Sequence, residues 1–156
     1  MRRAVVMVVS LALAVAVAAA VSARAGGGHD GGGPGRVLTV IEHATTDVTT
    51  DTGAPGDSVG DILTFANEVF DSADKHKVGT DQGYCVRVVV GSSYECNWTT
   101  TLADGQITVE GPFLDAGDST LAITGGTGRY ADASGFMKLH SLAGGTEFAF
   151  EFHLVD

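Results

Sequence analysis

Short runs of alternating apolar and polar residues, interrupted by glycine and proline, dominate this sequence, and residues 105–130 show the pattern most clearly. Residues 106–110 alternate strictly and are followed by Gly111-Pro112. A second apolar run, residues 121–123, then enters a segment too rich in glycine for a helix. Period-two alternation with such interruptions is typical of short antiparallel strands.

Eight segments of this kind follow one another from residue 36 onward, with predicted breaks that include residues 79–83, Gly111-Pro112 and residues 125–128. A helix competes only over residues 61–70, where Thr, Phe and Val favour a strand. Eight short antiparallel strands indicate an up-and-down barrel or a sandwich, and a closed barrel of eight can hold one small ligand. The predicted strands are residues 36–44, 61–70, 84–90, 94–102, 106–110, 120–124, 136–140 and 146–154.

The N-terminus has the parts of a secretory signal. Arg2-Arg3 precedes an apolar run over residues 4–21, and the small residues Ala23 and Ala25 predict cleavage after residue 25. An uncleaved membrane anchor is the alternative, because the apolar run approaches the length that spans a bilayer. Residues 26–35 are glycine-rich and are predicted to be a flexible linker. The folded domain is therefore expected over residues 36–156.

The net charge of the exported chain restricts the classes of partner that it can bind. Removing residues 1–25 takes away three arginines and no acid, so the net charge goes from −10 to −13. Such a surface repels phosphate backbones and anionic membranes, which argues against a nucleic-acid partner or a membrane partner after cleavage. A chain of this length buries one ordinary core, so we expect one secreted domain.

The two cysteines of the sequence are expected to pair. A chain bound for an oxidising compartment favours disulfides. Cys85 and Cys96 lie in two strand-like runs joined by a turn signal at Gly91-Ser92, so a hairpin would place them nearly opposite each other. The alternative is a free thiol on the inner wall of the barrel.

The sequence contains only incomplete versions of several motifs that would indicate other chemistry. Residues 125–128 (GGTG) lack the Lys-Ser/Thr of a phosphate loop. Residues 117–119 lack the glycine that completes a nucleophile elbow. The five histidines have no ligand spacing, so no metal site is predicted.

Polar residues on apolar strand faces remain as candidates for function. Glu42 alternates with Val40, and Asn67 alternates with Phe65 and Val69. A carboxylate on an apolar wall is costly unless it is paired or protonated, and a perturbed pKa marks a candidate functional group. The alternative is a polar residue at a strand end with its head group in water.

Three segments together resemble the allene oxide cyclase family and, more distantly, the dirigent proteins. They are residues 60–71 (GDILTFANEVFD), residues 83–86 (GYCV) and residues 105–128, which include GPFLDAGDSTLAITGGTG. The resemblance implies an eight-stranded antiparallel β-barrel, commonly trimeric, with a largely apolar cavity and no cofactor. The residues after Glu42 depart from the plant pattern, and Ala133-Ser134-Gly135 lacks the dirigent arginine.

The resemblance also implies roles for individual residues. Asn67 matches an asparagine that holds a water against the substrate oxygen, Cys85 matches a cavity cysteine, and Glu42 is the acid available on the first strand to stabilise positive charge. With Phe65 and Val40, Cys85 is expected to contact the substrate. The expected function is a cofactor-free isomerase or cyclase that steers cyclisation or coupling of a small, reactive, hydrophobic molecule. The alternative is a non-catalytic secreted barrel that binds a small ligand or acts at the surface.

Overall fold

The computed structural model describes residues 35–155, which form strands joined by turns. The predicted signal, residues 1–25, and all but the last residue of the predicted linker lie outside the described residues. Residues 35–155 contain no helix with the length and apolarity to cross a membrane. The strands are β1 (Arg36–His43), β2 (Val48–Thr50), β3 (Ile62–Asp71), β4 (Lys77–Val89), β5 (Ser93–Leu102), β6 (Gly105–Leu114), β7 (Ser119–Gly128), β8 (Ser134–Leu142) and β9 (Glu147–Val155).

The strands close into an eight-stranded antiparallel barrel, which confirms the predicted fold. From β3 to β9 each strand pairs with the next along the chain, β9 pairs with β1, and β1 pairs with β3. The three-residue β2, which the sequence did not predict, pairs with the start of β3, whereas β1 pairs with its end. β1 and β2 therefore share one position in the barrel wall, with an interruption between them. β3 occupies all but the first residue of the segment 61–70, so the competing helix is wrong.

Three of the predicted breaks are also wrong, because the strands run through them. β4 begins at Lys77, β6 continues past Gly111-Pro112, and β7 extends to Gly128. Gly83 in β4 is required by packing, since a Cβ there would collide with the side chain of Trp98 on the neighbouring strand. Pro112 lacks an N–H, but beyond Glu110 β6 has no partner in β7, so the strand tolerates it.

The interior of the barrel is filled largely by apolar side chains. Phe150, Phe152 and Leu154 of β9 are buried on one face, and Phe148 packs against the same core, as the alternation predicted. Trp98 of β5 contacts Phe150, with ring centroids 5.5 Å apart. Because side chains fill most of an eight-stranded barrel, only a limited internal space remains for a ligand.

Candidate active site

A row of buried polar residues crosses the inner wall of the barrel. Asn67 on β3 lies opposite Asp81 on β4, and Asp81 lies opposite Thr100 on β5. These three residues are 1%, 1% and 0% exposed, and Glu42 on β1 is 5% exposed. We call Glu42, Asn67, Asp81 and Thr100 the polar row. Burying four polar side chains is unfavourable unless each finds a partner, so the row is a candidate site.

Asn67 is the centre of the hydrogen bonds in the polar row. Its Oδ1 accepts from the backbone N–H of Thr45 and Thr46, at 3.1 and 2.9 Å, and from Oγ1 of Thr46 at 2.9 Å. Its Nδ2 donates to Oε1 of Glu42 at 2.6 Å and to Oδ1 of Asp47 at 2.7 Å. Both amide protons are therefore in use. The predicted role of Asn67 in holding a water stays a prediction, and it would require one of these two bonds to open.

The two carboxyls of the polar row, those of Glu42 and Asp81, hold their protons unusually tightly. Burial, followed by the negative charge of Asp81, raises the pKa of Glu42 to about 9, although the hydrogen bond from Asn67 opposes the change. Burial likewise raises the pKa of Asp81 to about 7. No ion pair within residues 35–155 involves either group. Glu42 is therefore neutral at pH 7, which makes it a proton donor rather than a fixed negative charge.

Glu42 and Asp47 are the acids that line a cavity at one end of the barrel. The cavity measures about 40 Å³. Since one water needs roughly 10–15 Å³ by this measure, the cavity has room for about three water-sized groups. The rest of its wall is apolar and consists of Leu63, Phe65, Cys85, Trp98, Phe113, Leu139, Phe148 and Phe150.

Of the predicted substrate contacts, Phe65 and Cys85 line this cavity and Val40 does not. Val40 lies two residues before Glu42 on β1, pairs with Phe150 and belongs to the packed core. Its side chain therefore supports the site from below instead of forming its wall. A direct contact between Val40 and the substrate stays a prediction.

Outside the cavity lies a larger groove, which we call the mouth groove. Its volume is about 400 Å³, and it shares Phe113, Leu139 and Phe148 with the cavity. The rings of Phe113 and Phe148 meet edge to face, with centroids 5.9 Å apart. A ligand larger than a few waters would therefore occupy both spaces, and these two rings would contact it where the spaces meet.

Cys85 and Cys96 form the predicted disulfide. They lie directly opposite each other on β4 and β5. The free-thiol alternative is wrong, but its location was right, because Cys85 lies in the cavity wall. Cys85 therefore lines the cavity and also forms the disulfide, as the two predictions expected.

The sequence analysis missed Asp81, Thr100 and Phe113. The signal for Asp81 was its period-two spacing with Gly83 and Cys85, which a glycine-rich break over residues 79–83 concealed. Phe113 was missed for a similar reason, since it follows Gly111-Pro112. Keeping glycine inside the strands would have brought both residues to the inner face.

One histidine cluster lies apart from the polar row. His43, Asp74 and Glu147 bring ligand-type atoms within 4.8 Å of one another, although the sequence shows no ligand spacing among the histidines. His43 Nε2 contacts Asp74 Oδ1 at 2.7 Å, and its ring stacks on Phe70. A hydrogen-bonded His–Asp pair accounts for this geometry.

The fold and the site together define a class: closed antiparallel barrels with buried carboxyls beside an apolar cavity. Residues 41–154 match the family described as allene oxide cyclase barrel like domain. The chain belongs to that family.

Solved structures with this fold include several named as catalysts. A pyocyanin demethylase is 30% identical, with a TM-score of 0.67 and coverage of 76% of this chain and 99% of that chain. The Diels-Alderase AbmU from Streptomyces koyangensis is 19% identical, with a TM-score of 0.63 and coverage of 80% and 70%. A pterocarpan synthase dirigent protein is 14% identical, with a TM-score of 0.62 and coverage of 77% and 83%. The last two show the shared fold alone.

Proposed function

We propose that this protein is an enzyme that binds a small, largely apolar molecule at the open end of its barrel and steers a cyclisation, isomerisation or coupling. The observation that carries the proposal is a buried carboxyl, Glu42, whose raised pKa keeps it protonated beside an apolar cavity. Carboxyls tuned in this way are typical of general acids. Solved structures that share this fold include proteins named as a demethylase, a Diels-Alderase and a pterocarpan synthase dirigent protein.

Different residues have different roles in the proposed reaction. Asn67 holds Oε1 of Glu42 by donating to it, which leaves the other carboxyl oxygen to carry the proton that Glu42 shares with Asp81 and can pass to the substrate. Asp81 lies close enough to raise the pKa of Glu42, and it can take up a proton as Glu42 changes charge. The rings of Phe65, Trp98 and Phe148 hold the substrate in one orientation, and orientation alone can be worth several kcal/mol of the barrier.

This division assigns proton transfer to side chains and selectivity to the shape of the wall. The proposal therefore invokes no cofactor. The predicted role of Glu42 in stabilising positive charge is retained in a modified form. Loss of its proton during the reaction would leave a carboxylate facing any positive charge that develops in the substrate.

The deciding experiment combines ligand capture with a matched variant. Mature protein is incubated with a lipid and polyketide extract, and molecules that co-purify or change are identified by mass spectrometry. The wild type should convert at least one captured molecule, and Glu42→Gln should capture it without converting it. Glu110→Gln makes the same substitution on the exposed outer face of β6, and this variant should convert the molecule normally.

A non-catalytic binding barrel is the second candidate, and the small volume of the cavity favours it. If the captured molecule is recovered unchanged from both the wild type and Glu42→Gln, the protein is a binder. If nothing is captured, the proposed site itself is wrong.

We further propose that the protein is exported without residues 1–25 and assembles as a trimer. The disulfide supports export, because such bonds persist in oxidising compartments. Exposed apolar residues on the outer face of β4, Tyr84 and Val88, support assembly, since contiguous apolar surface is typical of interfaces.

A further inference from the structure

The indole of Trp98 is a buried hydrogen-bond donor in the wall of the cavity. Trp98 is 3% exposed, and its Nε1 has no hydrogen-bond partner within residues 35–155. Its ring packs against those of Phe65 and Phe150, with centroids 6.0 and 5.5 Å away, and neither of these side chains carries a polar acceptor. An indole N–H can only donate, and a buried one usually has a partner. Because an unpaired buried donor is unfavourable, we expect an acceptor from outside the chain to bind beside Trp98.

The charge of the cavity wall indicates that this acceptor is neutral. Within residues 35–155, the residues that line the cavity include no lysine, arginine or histidine, whereas Glu42 and Asp47 are acids. A carboxylate or phenolate ligand would therefore lose its hydration without gaining a cation. A protonated amine carries donors only, so it would leave the indole N–H unpaired. A neutral oxygen acceptor meets neither difficulty.

The position of Glu42 in the same wall favours a carbonyl oxygen as the acceptor. Glu42 is the proposed proton donor, and the cavity that it shares with Trp98 measures only about 40 Å³. A carbonyl oxygen has two lone pairs, so it can accept from the indole N–H and also face the acid. Donors directed at a carbonyl oxygen stabilise the negative charge that develops on it as the molecule rearranges.

The sizes of the two spaces define where the rest of the ligand lies. The cavity has room for about three water-sized groups, which admits a carbonyl group and a small substituent but not an aromatic ring. The mouth groove of about 400 Å³ admits an apolar or aromatic body, which would pack against Phe113 and Phe148. The ligand therefore carries its carbonyl group at one end of an apolar body.

We propose that the ligand class is the neutral, apolar carbonyl compound, whose oxygen accepts a hydrogen bond from Nε1 of Trp98 in the cavity while its body lies in the mouth groove. Trp98 is then the residue that orients the substrate at its oxygen. This inference rests on the proposed function, because it names the class of molecule that the same site takes.

The test compares three probes of nearly the same size and shape at pH 7: acetophenone, α-methylstyrene and benzoate. The first two differ only in having a C=O or a C=CH₂ group, and benzoate carries a negative charge. In calorimetry, acetophenone should bind about tenfold more tightly than α-methylstyrene, which is the ratio expected for one hydrogen bond from a buried donor. Benzoate should bind more weakly than acetophenone.

Two variants and one spectroscopic signal assign the preference to the indole N–H. Trp98→Phe keeps a ring in the wall and removes the donor, so the preference for acetophenone should fall below about threefold. Leu63→Ala is the matched control, because it reduces the cavity wall without removing a donor and should leave the ratio unchanged. Trp98 is the only tryptophan of the chain, so one indole N–H signal in a ¹H–¹⁵N spectrum reports on it. Acetophenone should move this signal further downfield than α-methylstyrene does, since both probes carry the same ring.

The outcomes separate this inference from the proposed function. Equal affinity for acetophenone and α-methylstyrene, an equal displacement of the indole signal by both, or a preference that survives Trp98→Phe overturns the inference. Each of these results leaves the proposed apolar site standing, because α-methylstyrene still binds. Tighter binding of benzoate than of acetophenone also overturns the inference. If none of the three probes binds, the inference and the proposed site are both wrong. If Trp98→Phe does not fold, the indole signal of the wild type decides.

Discussion

Within residues 35–155 the buried acids Glu42 and Asp81 have no cationic partner, so the stability that they contribute depends on the pH of the solution. Folding raises the pKa of both groups, so the native state binds protons more tightly than the unfolded chain does. The contribution of such a group to stability is fully present below its unfolded pKa and is lost as the pH rises toward its folded pKa. For Glu42 this window runs from 4.5 to about 9.

Replacing Glu42 by Gln should stabilise the protein at pH 8 more than at pH 5. The amide keeps an acceptor for Asn67 and has no charge to bury, whereas the wild type loses up to about 1.4 kcal/mol per pH unit within the window. The melting temperature of Glu42→Gln should exceed that of the wild type by several degrees at pH 8. Glu110→Gln should change little at either pH. An equal difference at both pH values would show that the pKa of Glu42 is not raised.

The connection between β1 and β2 is held by a side chain rather than by a ladder of backbone bonds. Asn67 accepts from two backbone N–H groups of that connection, and it donates to Glu42 before the connection and to Asp47 at its end. In the opposite direction, Thr46 Oγ1 accepts from the N–H of Ala66. One residue of β3 therefore determines both the path of the chain and the position of Glu42.

Asn67→Ala should destabilise the fold by about 3 kcal/mol, because it leaves buried donors and an acid unpaired. Denaturant unfolding at pH 5 measures the change. Asn97→Ala is the matched control, since Asn97 lies opposite Tyr84 on the outer face and should cost less than about 1 kcal/mol. Similar losses for the two variants would mean that the hydrogen bonds of Asn67 contribute little.

The disulfide joins β4 to β5 across a single pair of residues. Replacing both Cys85 and Cys96 by Ala should lower the free energy of unfolding by about 2–3 kcal/mol on the chain-entropy account. Removal of buried sulfur adds a cavity term in the same direction. The variant should still fold, because the ladder between these strands runs over ten residue pairs. A variant as stable as the wild type would show that the bond is not formed in solution.

At the scale of the whole molecule, the proposed export and assembly can be tested by direct measurement. The secreted protein should begin at Gly26, and neither of its two cysteines should react with an alkylating reagent. In solution it should have the mass of three chains. Intact mass spectrometry and light scattering check these points. Tyr84→Lys on the outer face should dissociate the assembly without unfolding the barrel, because a buried unpaired charge opposes association. A monomeric wild type would exclude the trimer.

How far the sequence predicts this molecule depends on the range of the interactions. Period-two alternation is local, so it predicted the strands and placed Glu42, Asn67 and Cys85 on apolar faces, whereas their roles in a cavity came from the family resemblance. The pairing of Asn67 with Asp81, and of Asp81 with Thr100, depends on the register between strands, which the alternation does not specify. The volume of the cavity depends on how Trp98 and Phe150 pack, and no short-range pattern carries that information.

The interruption between β1 and β2 gives the barrel one position where its wall can open locally. Around Ala66 the wall is closed by contacts of Thr46 and Asn67 instead of a continuous ladder, and such regions undergo local opening at lower free energy than the rest of a fold. Amide hydrogens of β3 near this position should exchange with solvent deuterium earlier than those of β5. Because Asp47 lies both in this segment and in the cavity wall, fluctuations here would let water reach Glu42 from the side of the barrel as well as from its mouth.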